Sequence, residues 1–147
     1  MTMESWYSES YSIPATKMKR RSDTECVKHA LKKWRGALPE NLEKHNMEFE
    51  NYILKSLQPP TSDPRHCTQF VFSDYSCSLC QKYPLMKTFP NGRHHCTNKS
   101  KTKLCPIIRY SGQSCLDMDS AYKQSNDDPT TMIATLQGTL DMLQQHK

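Results

Sequence analysis

Five of the seven cysteines in this 147-residue chain, Cys77, Cys80, Cys96, Cys105 and Cys115, fall within one stretch. Zinc takes four deprotonated nitrogen or sulfur donors in a tetrahedron, and two cysteines separated by two residues turn both thiolates inward through one knuckle. Cys77-Ser78-Leu79-Cys80 has that spacing. Cys96, Cys105 and Cys115 offer the remaining donors, with His94 and His95 as additional candidates. An odd number of cysteines cannot all pair, and a reducing cytosol disfavours disulfides, so metal ligation explains the cluster better. Cys26 and Cys67 each stand alone and read as small buried hydrophobes, although His66 beside Cys67 could lend a ligand.

Other chemistry has weaker support. Asn91-Gly92-Arg93-His94-His95-Cys96-Thr97-Asn98 faintly suggests a zinc-framed His–Asn nuclease, but the following Lys99 to Lys103 stretch lacks the further His or Asn such a site needs. No H-x-E precedes a P-C-x-x-C, which argues against a zinc deaminase. Thiol redox chemistry would need Cys77 and Cys80 beside a helix N-terminus, and the downstream cysteines favour metal closure instead. Residues 76–110 hold seven Lys and Arg and no carboxylate, with Tyr83, Phe89 and Tyr110 interleaved. That pattern makes nucleic-acid binding through the basic 82–109 stretch an alternative, with the aromatic rings as stacking surfaces.

The hydrophobic fraction is 35%, mean hydropathy is −0.82, and 4 Gly stand against 9 Pro, so the core is expected to be thin for this length. A structural metal would compensate. The longest apolar runs fall far short of a membrane span, and Met1-Thr2-Met3-Glu4-Ser5-Trp6 lacks the layout of a signal peptide. The expectation is a cytoplasmic protein with no membrane partner.

The elements that must position the cysteines can be read in turn. Residues 1–21 show neither helical nor strand periodicity and read as a flexible N-terminal arm. Ser22-Asp23-Thr24-Glu25 is a capping box, followed by Val27, Ala30, Leu31 and Trp34 on one helical face, with Lys28, Lys32, Lys33 and Arg35 pointing elsewhere. Gly36 stops that helix, and Leu38-Pro39-Glu40 restarts one with proline in its first turn. Phe49, Tyr52, Ile53 and Leu57 extend a helical stripe, so 22–57 is expected as a helical hairpin. Residues 58–66 form a Pro-rich connector. Residues 67–147 make a cysteine-rich zinc-binding region, entered by a strand at Phe70-Val71-Phe72 and closed by a helix carrying Met132, Ile133, Leu136, Leu140 and Leu143. The fold class is therefore small α+β, mainly helical, with an N-terminal helical hairpin, a zinc-knuckle-like cysteine region and a C-terminal amphipathic helix. Residues 22–147 are expected to form one compact unit.

Cys77-x-x-Cys80, Cys105-Pro106 and Gly112-x-x-Cys115, with a terminal helix after them, resemble small cysteine-rich bacteriophage proteins of unknown function. Trp34-Arg35-Gly36-Ala37-Leu38-Pro39-Glu40-Asn41-Leu42-Glu43-Lys44-His45 looks like the helix–turn segment sometimes seen ahead of that region. The chain departs at Thr102, where those proteins carry a cysteine, and Cys96 lies six residues earlier. The resemblance implies a phage-encoded, zinc-stabilised protein with Cys77, Cys80 and Cys105 as ligands; at the fourth position, where this sequence departs from it, Cys96 is expected, with Cys115 as its competitor. It implies no activity. The functional expectation is a non-enzymatic module that contacts an unidentified host or phage protein in the host cytoplasm.

Overall fold

The computed structural model describes residues 3–57, 69–73, 76–83, 105–113, 115 and 120–145, and the backbone alone at 86–88 and 94–96. The connector 58–66, His66, Cys67, Phe89 and the Lys99–Lys103 run lie outside the described residues.

Among the described residues the chain is mainly helical, with seven α-helices, a three-stranded antiparallel sheet and a short two-stranded ladder. The segment expected as an arm is ordered instead. Helix α1 spans Met3–Ser10 and is followed by a 3-10 turn at Ala15–Met18. Met3, Trp6, Tyr7 and Tyr11 recur at helical spacing, and Met3, Trp6 and Tyr11 are buried together with Ala15 and Met18. Helix α2, Asp23–Arg35, starts where the capping box placed it, since the Ser22 side chain accepts from the Glu25 amide at 3.2 Å. Helix α3, Pro39–His45, begins on proline and ends on Asn46 in the left-handed region.

The expected helical stripe beyond α3 is a β-hairpin. Strand β1, Met47–Glu50, alternates buried and exposed residues with period two, and β2, Ile53–Ser56, returns against it with Glu50 opposite Ile53. The two-residue loop has φ 52 at Asn51 and φ 64 at Tyr52, as a primed hairpin turn requires. A tyrosine is strained there, and its surroundings hold it. The Tyr52 amide donates to the Asn126 carbonyl at 2.9 Å, its hydroxyl donates to the Tyr122 carbonyl at 2.9 Å, and its ring stacks on Tyr122 at 4.6 Å. Strand β3, Gln69–Val71, completes the sheet in the order β1-β2-β3, and this is the strand expected ahead of the first cysteine pair.

Short helix α4, Ser78–Lys82, is followed by paired strands β4, Met86–Thr88, and β5, His94–Cys96. Helix α5 spans Pro106–Ser111, α6 spans Ala121–Gln124 and α7 spans Thr130–Gln145. The core is aromatic: Trp34 meets Phe72 edge-on at 4.9 Å, Phe49 lies 4.9 Å from Phe72, and Trp6 lies 5.1 Å from Phe70. Helix α2 packs against α1, α4 and α7, so it is the central helix of the fold. On α7, Met132, Leu136 and Leu140 are buried, while Ile133 and Leu143 are half-buried against the core. Leu136→Ala should cost about 2–4 kcal/mol in denaturant unfolding, because it leaves a cavity beside α2. Gln137→Ala should cost well under about 1 kcal/mol, since it removes only exposed hydrogen bonds to Arg35 and Asp141.

Candidate metal centre

Each cysteine with a described side chain near the candidate centre is placed by a local signal. Cys77 is the N-cap of α4, and Cys80 follows one turn later, held inward because Ser78 and Leu79 are fully buried. Cys105 is the N-cap of α5, with buried Pro106 at the first helical position, where a missing N–H does no harm. Gly112 ends α5 at φ 78 with its amide donating to the Ile108 carbonyl at 2.8 Å. That left-handed residue reverses the chain toward Cys115, whose carbonyl accepts from the Ser120 hydroxyl at 3.1 Å.

Four of the five predicted cysteines have described side chains, and among them Cys77 and Cys80 are in contact. Cys77 and Cys80 are hydrogen-bonded through their sulfurs, Cys80 feels the charges of Cys105 and Cys115, and Cys105 feels that of Cys77. None of the four is in a disulfide. Cys96 pairs through its backbone opposite Met86, and its side chain, like those of His94 and His95, lies outside the described residues. Cys26 is fully buried away from this role, its thiol donating to the Met18 carbonyl at 3.3 Å, as expected of an isolated cysteine.

Electrostatics divide the thiols. The hydrogen bond from Cys80 outweighs burial at Cys77 and, with the charge of Lys33, pulls its thiol below the ordinary range. The same bond, with burial, pushes Cys80 well above it. Burial pushes Cys105 up to about 12. Among the described residues no group of three Cys, His, Asp or Glu is placed to hold a metal ion. Thiolates suit zinc in donor type, but the arrangement of these sulfurs is not that of a formed zinc site.

Two residues that sequence reasoning passed over build this region. Lys33, read as part of a solvated face, is 1% exposed, and its ammonium donates to the Ser76 carbonyl at 3.3 Å and hydroxyl at 3.2 Å. Burial lowers its pKa, opposed by attraction to Cys77, Cys80 and Cys115. Its position was discoverable, because Cys26, Ala30, Lys33 and Ala37 share one face at helical spacing and the other three are small and buried. Asp23, read only as part of a cap, joins three elements. It accepts from Tyr83 and Lys82 at 2.8 Å each and from Arg109 at 2.9 Å, tying the ends of α4 and α5 to the start of α2.

Burial opposes ionisation of Asp23, but the bonds from Lys82 and Tyr83 and the charges of Lys82 and Arg109 prevail and hold its pKa below the ordinary value. A depressed carboxyl stabilises fully above its unfolded value, near about 4, and that contribution is lost as pH falls through the folded value. Asp23→Asn is expected to cost about 1–3 kcal/mol at pH 7. Melting curves at pH 6 and pH 3 should differ less for the variant than for the parent.

No helix among the described residues is long and apolar enough to cross a membrane. Comparison with protein-family models, curated proteins and solved structures finds no match to the chain.

Proposed function

We propose that this chain is a non-enzymatic protein-interaction module whose cysteine region is closed by one zinc ion, working in the cytoplasm, on Cys77, Cys80 and Cys105, with Cys115 or Cys96 as fourth ligand. The observation that carries this reading is the placing of Cys77 and Cys105 at helix starts, with Cys80 hydrogen-bonded to Cys77 and Lys33 buried against the neighbouring Ser76. Zinc would fix three otherwise separate pieces, α4, α5 and the turn at Cys115, and so stiffen the surface around them.

A binding surface is available on the other side of α2. A cleft of roughly 460 Å³ is lined by Lys28, Lys32 and Arg35 around Leu31 and Leu140, with Glu9 at its edge neutralised by Lys44. Cations surrounding an apolar floor fit an acidic protein segment that also carries a large apolar side chain. The nucleic-acid alternative draws less support, because Lys82 and Arg109, the two cations of the basic stretch with described side chains, are committed to Asp23.

Elemental analysis of purified protein tests the reading. One zinc per chain, lost in Cys77→Ser, is expected. Metal-free protein whose Cys77 and Cys80 form a reversible disulfide would replace this reading with thiol redox chemistry, for which Cys77 at the start of α4 meets the positional requirement. Tight DNA or RNA binding that falls steeply with salt, and is abolished by Lys101→Glu with Lys103→Glu, would promote the nucleic-acid reading.

A further inference from the structure

Lys28, Lys32 and Arg35 stand four and three residues apart on α2, so successive turns bring them to one opening, the cleft of about 460 Å³ floored by Leu31 and Leu140. All three are exposed, and among the described residues no carboxylate is ion-paired with any of them. Their hydrogen bonds go to neutral groups: Lys32 Nζ donates to Ser12 Oγ at 3.1 Å, and the Arg35 guanidinium donates to Gln137 Oε1 at 2.7 Å. Gln137 in turn donates to Asp141 at 3.0 Å, which braces the guanidinium from α7. Glu9, the carboxylate on the rim, is occupied by Lys44 and by the His45 ring at 2.6 Å. Three cations at one opening therefore want negative charge from outside the chain. A carboxylate brings one charge and two oxygens, whereas a phosphorylated serine or threonine brings a charge of about −1.5 to −2 and three acceptor oxygens at one point. Three separate carboxylates would each have to be ordered, at an entropic cost that one phosphate avoids. The apolar floor selects the source of that phosphate. Leu31 and Leu140 are 3% and 7% exposed and lie recessed between helices, where a side chain can enter and a flat bilayer cannot.

We propose that this cleft binds a phosphorylated serine or threonine of a partner protein, the phosphate on Arg35, Lys32 and Lys28 and a neighbouring apolar side chain over Leu31 and Leu140, so that phosphorylation of the partner switches the association on. The inference rests on the acidic-segment reading of the same cleft, names its ligand, and is independent of any metal. Arg35 has the planar fork that meets two phosphate oxygens at once, and its brace on Gln137 reduces the freedom lost on binding. Lys32 reaches the third oxygen by giving up its bond to Ser12, and Lys28 adds charge one turn further along. Arginine and lysine clusters of this kind read phosphorylated segments by charge, while the apolar neighbour supplies specificity.

The test uses the full chain and three fluorescent peptide pools, read by anisotropy. In the first pool one phosphoserine is fixed and a leucine stands one, two or three positions to either side of it; the second has glutamate and the third serine in place of the phosphoserine. The phosphorylated pool should bind about 10- to 100-fold more tightly than the glutamate pool, the serine pool should bind weakest, and added salt should weaken the first two. Arg35→Gln and Lys32→Gln should each lower affinity for the phosphorylated pool about tenfold or more, and Arg35→Lys, which keeps the charge and loses the fork, should lower it as well. Because these side chains are exposed, melting temperatures should stay within about 2 °C of the parent. Lys28→Gln is a further variant should either of the others fail to fold. Equal binding of the phosphorylated and glutamate pools would overturn the proposal and leave the acidic-segment reading standing, whereas no binding of either pool would remove both. Binding unchanged in the Arg35 and Lys32 variants would place the site elsewhere and overturn it. So would tighter binding to vesicles containing a phosphoinositide, or to a DNA duplex, than to the phosphorylated pool.

Discussion

Trp6→Ala should cost about 3–5 kcal/mol in chemical denaturation, and deleting residues 1–21 should cost at least as much. Trp6 is fully buried, its indole donates to the Gly36 carbonyl at 3.0 Å, and its ring packs on Phe70 and Phe72. The fit is close on both sides, since a Cβ added at Gly36 would stand 2.7 Å from the indole nitrogen and 2.8 Å from Ser10. Gly36 and Ser10 border the space the ring would leave. Truncation leaves a cavity there, and the orphaned carbonyl adds to its cost. Tyr11 extends the same dependence toward the cysteines, because its hydroxyl donates to the Ser76 carbonyl at 3.0 Å, beside Cys77. A loss below about 1 kcal/mol would show that α1 is not docked in solution.

Stripping zinc with a chelator should lower the melting temperature by about 10–20 °C, on the proposed assignment of the four thiols. An ion bound only by the folded chain stabilises it by about 5 kcal/mol when present at about ten thousand times its dissociation constant. The loss should concentrate on α4 and α5, which are short helices of five and six residues that cannot persist unaided. Hydrogen exchange should open their amides first and leave those of α2 protected. Re-addition of zinc should restore both signals. A melting curve indifferent to the chelator would show that packing and the Asp23 bonds alone hold this region.

Local chemistry made some elements legible and left others hidden. Ser22 through Glu25, Pro39 and Asp128-Pro129 announce α2, α3 and α7 because caps act within a few residues, and the structure has helices at all three. Phe49, Tyr52, Ile53 and Leu57 fit a helical stripe, yet Met47 and Phe49 also fit a strand, and the sheet decided between them by burying that face against Trp34 and Phe72. Tyr52 at positive φ could not be anticipated, because contacts from residues 122 and 126 hold it there. The N-terminal segment hides its order for a related reason: Ser and Tyr dilute the spacing of Met3, Trp6 and Tyr7, and the rings that pack on Trp6 and Tyr7 belong to Phe70 and Phe72, more than sixty residues away. At the candidate centre the Cys77-x-x-Cys80 spacing is plain in the sequence, while the partners of Lys33 and Asp23 come from distant segments that local pattern does not reveal.

The position of α2 at the middle of the fold also governs how the chain is made. Its face toward α7 is covered by Leu136 and Leu140, and the Arg35 to Gln137 hydrogen bond spans 102 positions. At about 5–20 residues per second, a ribosome takes about 5–20 s to travel from one partner to the other. During that interval α1, α2 and the first hairpin have emerged, but Leu31 and its neighbours have nothing from α7 to meet. Nascent chains arrested before residue 130 should be protease-sensitive and should bind a general chaperone at the bare flank of α2, and release of both should coincide with synthesis of α7.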